Sequence, residues 1–258
     1  MRATGVAVEE GTIDAERARV AALAVHHAGE TPVLVGVGAL RTSHVLAHID
    51  GAEAAGAAGV LLAPMTYQAL TDGEVYALYR AATEHTDLPV IVYDNPGTTR
   101  FTFTTELYAR IAELPGIASI KIPGVPTDPE EARQHVAGIR AVVPEHVTIG
   151  VSGDALAATG LNAGCDAWYS VIGGTLPEPA LAITRAAQNG RSTEADTGSE
   201  RLAPLWGLFA EHGSLRVTAA IAEHLGLVST GCLPLPIRGL SDAQRARVAA
   251  VVDELGLG

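Results

Sequence analysis

Short apolar runs rich in β-branched residues recur along the chain and predict strands. They cover residues 32–38, 59–64, 88–96, 118–124, 147–153 and 167–174. Because the apolar residues of each run are almost uninterrupted, both faces of these strands must be covered, which is typical of a parallel sheet. Their starts lie roughly 20–30 residues apart, which is the length of one strand–helix unit. The pattern therefore predicts an α/β fold.

Segments with helical periodicity separate these strands. Helices are predicted at about 13–28, from Ser43 to Ala58, from Thr71 to Glu84 and from Thr104 to Glu113. Ser43, Thr71 or Asp72, and Thr104 are the expected N-caps, because their side-chain oxygens can accept hydrogen bonds from the first free amides of a helix. After Pro177 the pattern is helical only, at 177–189, about 193–212, 215–227 and 241–255.

A series of strand–helix units without a domain-like linker favours a TIM (β/α)8 barrel over a doubly wound sheet. No GxGxxG motif follows the first strand, which also disfavours a dinucleotide-binding fold. Six strands are predicted where such a barrel needs eight, so strand 1, helix 1 and most of strand 2 are expected to be missing. We predict an N-terminally incomplete barrel over residues 1–190 and a C-terminal helical extension over 191–258. An open barrel exposes strand edges, so we expect low stability unless an oligomer covers the gap.

The composition excludes several classes of protein. Hydrophobic residues make up 48% of the 258 residues and charged residues 18%, which is ample material for a buried core. No apolar run approaches the ~18 residues of a membrane span, and the N-terminus lacks the layout of a signal peptide, so a cytoplasmic protein is expected. The net charge of −12 and the 4% aromatic content argue against a nucleic-acid partner.

Lys121 is the only lysine among 17 basic residues, so the other 16 are arginines. It lies in the apolar run "GIASIKIPG", where strand alternation places Ser119 and Lys121 on the inner face of a barrel. Pro123 and Gly124 end the strand, which puts Lys121 at the carboxyl end, where barrel active sites lie.

Partial burial would lower the pKa of this amine and make it a nucleophile that forms a Schiff base with a carbonyl substrate. Arginine cannot do this, because its guanidinium stays protonated. The alternative is a structural lysine that extends to solvent or pairs with a buried carboxylate.

The neighbouring strand ends in "VIVYDNPGTT", residues 90–99. The phenol of Tyr93 is a candidate proton relay for imine formation and bond cleavage; alternatively, Tyr93 is a packing residue with a satisfied hydroxyl. A carboxylate at Asp94 is expected to lie near Tyr93 and Lys121 and to keep the amine protonated.

Together, these segments resemble the dihydrodipicolinate synthase / N-acetylneuraminate lyase family. In that family a strand reading Tyr-Asn-x-Pro precedes a strand that ends in Ile-Lys. Here Tyr93-Asp94-Asn95-Pro96 and Ile120-Lys121 match, with 28 residues between Tyr93 and Lys121. The segments "PVLVGVG", "AEAAGAAGVLLAP" and "SGDALAATGLNAGCDAWYSV" also follow in family order.

The resemblance implies a TIM barrel, a homo-oligomer (dimer or tetramer), a small keto-acid substrate and no cofactor. It implies Lys121 as the Schiff-base lysine and Tyr93 as the proton relay. Ser152, Gly153 and Asp154, with Tyr169 and Ser170, would line the far wall of the keto-acid pocket. Tyr169 stands where the family often has a small aliphatic side chain, which implies a differently shaped pocket.

The chain departs from the family at three places. Thr4 and Gly5 match the loop that holds the substrate carboxylate, but Ala3 and Val6 replace its first hydroxyl and its Glu. Thr98 stands where the synthases have an arginine that grips the second substrate, and Arg100 lies two residues further on, so dihydrodipicolinate synthesis is not expected. Tyr67 corresponds, shifted by about one residue, to a tyrosine that the family lends across a subunit interface.

No metal site is expected. His44 and His48 have a spacing that can bind zinc, but the sequence shows no third ligand. We therefore interpret both as solvent-exposed histidines on a helix. Cys165 and Cys232 fit no metal or redox spacing and are predicted to be buried free thiols.

The first functional hypothesis is a Schiff-base carbon–carbon lyase, aldolase or dehydratase acting on pyruvate with an aldehyde, or on a 2-keto-3-deoxy acid. Thr4, Ser152 and Gly153 would help to hold the carboxylate, and Thr98 and Thr99 would contact the hydroxylated arm. The second is a catalytically impaired barrel relative that acts as a binding or assembly protein. The third is a metal-dependent aldolase.

Overall fold

The computed structural model describes residues 4–6 and 14–258, and for Thr4–Val6 and Asp14 it describes the backbone only. Seven parallel strands form one sheet, in which each strand pairs with the next along the chain. They are β1 (Thr4–Val6), β2 (Val33–Gly36), β3 (Gly59–Leu62), β4 (Val90–Tyr93), β5 (Ile117–Ile122), β6 (Thr148–Val151) and β7 (Ala167–Trp168). β1 also contacts the 3₁₀ turn Ile172–Gly174 beyond β7, so the two ends of the sheet approach each other and the sheet is curled.

The predicted α/β class and parallel sheet are confirmed, and each of the six predicted apolar runs contains a strand. Two corrections concern the sheet. The backbone of Thr4 and Gly5 belongs to β1 and pairs with β2, whereas the sequence placed both residues in a loop. The last strand is only two residues long, because the chain turns into the 3₁₀ turn within the run predicted as strand 167–174. The expected absence of strand 1, helix 1 and most of strand 2 stays a prediction.

Helices follow each strand and cover the outer face of the sheet. They are α1 (Asp14–Ala28), α2 (Thr42–Ala55), α3 (Asp72–His85), α4 (Pro96–Thr99), α5 (Thr105–Ala112), α6 (Pro129–Arg140), α7 (Ala157–Asn162), α8 (Pro177–Gln188), α9 (Ser192–Arg201), α10 (Ala203–His212), α11 (Ser214–His224) and α12 (Asp242–Leu255). None of these helices is long and apolar enough to cross a bilayer.

Helix caps agree with the sequence at two of three places. Thr71 caps α3 in a capping box with Glu74, and Thr104 caps α5 by accepting a hydrogen bond from the amide of Leu107. The third prediction is wrong, because α2 begins at Thr42 and Ser43 lies inside its first turn. Arg41 is its N-cap and makes no side-chain cap bond.

The helix predicted at about 193–212 is two helices, α9 and α10, that meet at Leu202. Pro204 explains the break. Proline lacks the amide hydrogen that the interior of a helix needs, so it is favoured in the first turn, which is where it lies in α10.

Two apolar cores stabilise the chain. The first lies between the sheet and helices α1–α6, and the second is built by α8 and the helices that follow it. α8 contributes Ala180, Ile183 and Ala186 to the second core, and Trp168 of β7 packs against both cores. Helices α8 and α9, on either side of the predicted domain boundary between residues 190 and 191, contribute to one core. The boundary itself stays a prediction.

Candidate active site

Lys121 lies near the carboxyl end of β5, with Tyr93 of β4 and Gly150 of β6 beside it in the sheet. Its neighbours Ile120 and Ile122 are fully buried in the core between sheet and helices. The half-buried side chain of Lys121 therefore projects from the inner face of the sheet, as strand alternation predicted.

The environment of Lys121 favours the free amine. Burial lowers the pKa of the ammonium from its ordinary value of 10.5 to about 8, and the negative charge of Asp154 opposes that lowering. Because the unprotonated amine is the nucleophile, this pKa makes a reactive fraction available near neutral pH.

Tyr93 contacts this amine with the face of its ring. The Nζ atom of Lys121 lies 3.8 Å from the ring centroid, a cation–π distance that stabilises a positive charge on nitrogen. The Tyr93 hydroxyl accepts a hydrogen bond of 3.0 Å from Nδ2 of Asn95 in the strand-exit turn. The two residues that the sequence assigned to the chemistry are therefore in contact.

Tyr169 forms the wall on the other side of Lys121. Its ring centroid lies 5.5 Å from Nζ, and its hydroxyl donates a 2.8 Å hydrogen bond to Oγ of Ser119. Burial raises the pKa of Tyr169, so the phenol is neutral. The ring lies against Gly150, where a Cβ atom would come within 2.6 Å of Cδ2 of Tyr169. Glycine on β6 thus makes room for the large side chain of Tyr169.

Asp154 is a buried carboxylate at the exit of β6, 4% exposed. It accepts hydrogen bonds from the amides of Val171 and Ile172, at 2.9 Å each, and from the indole of Trp168 at 3.2 Å. Burial raises the pKa of Asp154, against the lowering effect of those hydrogen bonds and of Lys121. The sequence placed Asp154 in the pocket wall but did not predict this anchoring role. The available signal was an acid directly after a strand-exit glycine.

Ser152 and Gly153 lie at the same strand exit. The hydroxyl and the amide of Ser152 both donate to the carbonyl of Ile122, at 2.6 and 3.1 Å. Ser152 would have to give up these bonds to hold a substrate carboxylate. Gly153 has φ +82°, a left-handed conformation that side chains rarely adopt, and it directs the chain into the turn that carries Asp154.

The two threonines predicted to contact substrate, both in the turn after β4, differ in their exposure to solvent. Thr98 is exposed and accessible. Thr99 is 4% exposed, and its hydroxyl donates to the carbonyl of Asn95 at 3.0 Å. This expectation for Thr99 is corrected, because its hydroxyl closes the turn α4. Arg100 ends the turn with φ 56°, which is unusual for a residue other than glycine.

Three more predicted site residues, Tyr67, Thr4 and Gly5, stay predictions. The side chain of Tyr67, on the loop after β3, is 90% exposed. Its role across a subunit interface stays a prediction. For Thr4 and Gly5 only the backbone, which forms part of β1, is described, so their proposed contacts with substrate lie outside the described atoms.

The expectation for Asp94 is corrected. Its side chain is 4% exposed, and it accepts a 2.5 Å hydrogen bond from the hydroxyl of Tyr108 on α5. The other oxygen, Oδ1, is buried and has no hydrogen-bond partner. Because Asp94 follows the inward-facing Tyr93, alternation turns it to the outer face, and the carboxylate that acts on Lys121 is Asp154. Burial raises the pKa of Asp94 to about 6.

The remaining candidates fall outside this site. His44 is exposed, and Nδ1 of His48 lies 3.4 Å from the carbonyl of Val37. Within residues 14–258 no three histidine, cysteine or acidic side chains group together as a metal site. Cys165 is buried, which raises the pKa of its thiol to about 12, but Cys232 is exposed on the loop between α11 and α12, contrary to the prediction.

Comparisons with known proteins identify the family of the chain. The sequence profile of the dihydrodipicolinate synthetase family matches residues 9–255. A 4-hydroxy-tetrahydrodipicolinate synthase from Methylococcus capsulatus is 31% identical over 258 residues, which is 99% of this chain and 86% of that protein. An uncharacterised DapA-like lyase from Halobacterium salinarum is 30% identical over 247 residues, covering 94% of this chain and 77% of that protein.

The fold has close relatives among solved structures. The crystal structure of a dihydrodipicolinate synthase from Agrobacterium tumefaciens superposes with a TM-score of 0.92 at 40% sequence identity, covering 98% of this chain and 86% of that one. A match of the profile to almost the whole chain and relatives at 30% identity or more both show the family. The chain therefore belongs to the dihydrodipicolinate synthetase family, a family of lyases.

Proposed function

We propose that Lys121 forms a Schiff base with the C2 carbonyl of pyruvate or of a 2-keto-3-deoxy acid. The chain would then make or break a carbon–carbon bond beside that carbon, or eliminate water there. The observation that carries the proposal is the environment of the single lysine. Its amine has a pKa of about 8, lies on the inner face of the sheet and contacts the ring of Tyr93.

Imine formation begins when the free amine of Lys121 attacks C2. A C–N bond forms, and the carbonyl oxygen takes up a proton to give a carbinolamine. Loss of that hydroxyl as water leaves a protonated imine, so amine, ketone and one proton become iminium and water. Tyr93 is the described acid beside the amine that can deliver and recover these protons.

The protonated imine then acts as an electron sink. When the bond between C3 and C4 of a keto-deoxy acid breaks, its electron pair moves toward the iminium nitrogen and forms an enamine, while the C4 hydroxyl loses its proton and becomes an aldehyde. The cation–π contact with Tyr93 supports the formation of this iminium, because it stabilises positive charge on the nitrogen.

The surroundings of the site support a hydroxylated keto acid as the substrate. Thr98, which is exposed at the mouth, is proposed to contact the hydroxylated arm; a bidentate arginine clamp for a second carboxylate is not present at that position. Thr4 and Gly5 on β1, with Gly153, are proposed to hold the C1 carboxylate. The ring of Tyr169 narrows the pocket beside Lys121, which favours a compact keto-acid end.

Borohydride trapping tests this proposal. The purified protein is incubated with pyruvate, reduced, and analysed by intact mass and peptide mapping. We expect one adduct on the peptide that contains Lys121, none in the Lys121→Arg variant, and a strongly reduced yield in Tyr93→Phe. Folded protein that gives no adduct with pyruvate or with a panel of 2-keto-3-deoxy acids would contradict the proposal.

A catalytically impaired binding protein is the alternative, and the comparisons do not favour it. A relative that matches 94% of this chain is named a DapA-like lyase. If borohydride traps an adduct on Lys121, the next experiment is therefore a screen of aldehydes as second substrates. Conversion of a keto-deoxy acid into pyruvate, detected with lactate dehydrogenase, distinguishes the two functions, since an impaired relative would trap or bind the acid without turnover.

The proposed active form is a homo-oligomer, either a dimer or a tetramer. The support is Tyr67, an aromatic side chain that is 90% exposed at the same edge of the sheet as Lys121. Light scattering after size-exclusion chromatography measures the assembly. If Tyr67 acts across an interface, mixing Tyr67→Phe with Lys121→Arg protomers should give hybrid activity that neither variant has alone.

A further inference from the structure

A buried acid joins the loops that follow β6 and β7. Asp154 starts the 3₁₀ turn Asp154–Leu156 directly after Gly153. Its carboxylate accepts hydrogen bonds from the indole of Trp168 on β7 and from two amides, those of Val171 and Ile172, in the segment after β7. The segment that it holds, residues 170–174, includes Ser170 and the 3₁₀ turn that contacts β1. One carboxylate therefore connects the two consecutive loops that border Lys121.

Asp154 follows β6, the strand whose Gly150 pairs with Lys121, and its negative charge acts on the Lys121 amine. Among the described residues, the titratable groups that contact or act on the amine are Tyr93 on β4, Tyr169 after β7 and Asp154 after β6. Burial raises the pKa of Tyr169, so its phenol carries no charge that could act on the amine. Asp94, also buried at this edge, lies on the outer face of the sheet against Tyr108.

We propose that Asp154 is a positioning residue for the Schiff-base chemistry, holding the 170–174 segment in place and supplying the counter-charge for the cationic forms of Lys121. This role rests on the proposed function. Two cations are involved: the ammonium before attack and the iminium after loss of water. Both carry their charge on the Nζ atom of Lys121, so the same carboxylate can stabilise both. A buried positive charge without such a partner is strongly disfavoured.

The single lysine makes a direct test possible without substrate. Protein labelled with ¹³C at lysine Cε gives one lysine signal, whose shift with pH reports the protonation of Lys121. We expect a midpoint near pH 8 in the wild type. In Asp154→Asn the loss of the negative charge should lower it, by about half a unit or more.

Asp94→Asn is the matched control, because it neutralises a carboxyl that is equally buried but lies on the other face of the sheet. Trp168→Phe removes one hydrogen bond to Asp154 while leaving its charge. We expect both variants to keep the wild-type midpoint, and Trp168→Phe to lower the melting temperature. An unchanged midpoint in Asp154→Asn, or an equal shift in Asp94→Asn, would overturn the assignment. If Asp154→Asn does not fold, Asp154→Ser, whose hydroxyl can accept from the same amides, gives the same readout.

Imine stability separates this inference from the proposed function. At pH 9, where the amine of both proteins is largely free, Asp154→Asn should need a several-fold higher pyruvate concentration for half-maximal trapping, because its iminium has lost the counter-charge. A wild-type protein that forms no imine but shows the titration shift in Asp154→Asn would refute the proposed function and leave the electrostatic role of Asp154 standing. Equal half-maximal concentrations would refute the iminium part of the role.

Discussion

Burial and two neighbouring side chains act on the nitrogen of Lys121. Burial removes water from the ammonium and lowers its pKa to about 8, against the opposing effect of the negative charge of Asp154. The face of the Tyr93 ring also contacts the nitrogen, at a distance that stabilises positive charge. A fully apolar surrounding would lower the pKa of a lysine further, as buried lysines with much lower values show. The site therefore keeps an amine that can be charged or neutral near physiological pH.

The rate of imine formation should follow the deprotonation of this amine. Below its pKa the ammonium has no lone pair for attack, so the initial trapping rate should rise with pH and level off above a midpoint of about 8. Initial rates of borohydride trapping at saturating pyruvate, from pH 6 to pH 10, measure it. A midpoint near 10.5, the ordinary lysine value, would show that Lys121 is not buried in solution.

Asp94 should make the protein less stable as the pH rises. Its folded pKa of about 6 lies above the ordinary 3.8, so between about pH 4 and pH 6 the folded state binds more protons than the unfolded state. The free energy of unfolding then falls with pH through that window, and the loss is complete above pH 6. Asp94→Asn, which keeps an acceptor for Tyr108, should be more stable than the wild type by about 2–3 kcal/mol at pH 8.

Urea unfolding of the wild type and Asp94→Asn at pH 4, 5, 6 and 8 measures this difference. The gap between the two proteins should close at pH 4. A gap that is independent of pH would mean that the carboxyl is not the cause.

Strand β6 shows how an element shapes the pocket through a missing side chain. Gly150 pairs with Lys121 on one side and Ala167 on the other, and the ring of Tyr169 occupies the space above it. A methyl group there would overlap the ring, which is itself tied to Ser119. The shape of the pocket near Lys121 thus depends on a glycine in the middle of a strand.

Gly150→Ala should displace Tyr169, destabilise the protein by about 1–3 kcal/mol and lower the trapping yield. Gly36→Ala is the control, because a Cβ atom at Gly36 of β2 would meet nothing within 4 Å. Thermal unfolding and trapping are compared for both. If Gly150→Ala behaves like the control, Tyr169 does not lie where the structure has it.

The capping of α3 gives a second prediction for an element. Thr71 bonds to the amide of Glu74, and the Glu74 side chain bonds back to the amide of Thr71. Thr71→Ala leaves both ends of this box incomplete and should cost about 1 kcal/mol of stability. Ser43→Ala, an exposed change inside α2, should stay within about 0.5 kcal/mol. Chemical denaturation of both variants tests the pair, and a larger effect at Ser43 would mean that Ser43 is the cap after all.

At the scale of the whole molecule, the two cores are joined. Trp168 packs against both, and α8 carries the chain from the sheet into the second core. We expect one cooperative unfolding transition, with the same midpoint for far-UV circular dichroism and for tryptophan fluorescence, which reports Trp168 and Trp206. Two separated midpoints would show that the helical segment unfolds independently.

Leu205→Ala measures the second core. Leu205 on α10 is fully buried, so truncation leaves a cavity and should destabilise the protein by about 2–5 kcal/mol. Leu235, which is 78% exposed, is the matched control, and Leu235→Ala should change stability little. Similar losses for both would indicate that Leu235 is buried in an assembly.

The sequence by itself determined the features that depend on local periodicity. Alternation along β5 predicted that Ser119 and Lys121 share the inner face, and cap chemistry predicted where α3 and α5 begin. The order and spacing of several segments, among them the motifs around Tyr93 and Lys121, together predicted the family, and the parallel register brings these two residues side by side.

Only the tertiary structure decided which side chains meet across loops. Asp154 and Val171 are 17 residues apart, and their bond depends on the left-handed turn at Gly153 and on the short β7, neither of which periodicity reveals. For the same reason the sequence could not predict that the Thr99 hydroxyl closes a turn. Hydrophobic alternation assigns a face to each residue of a strand, but the partner on that face is set by the packing of distant segments.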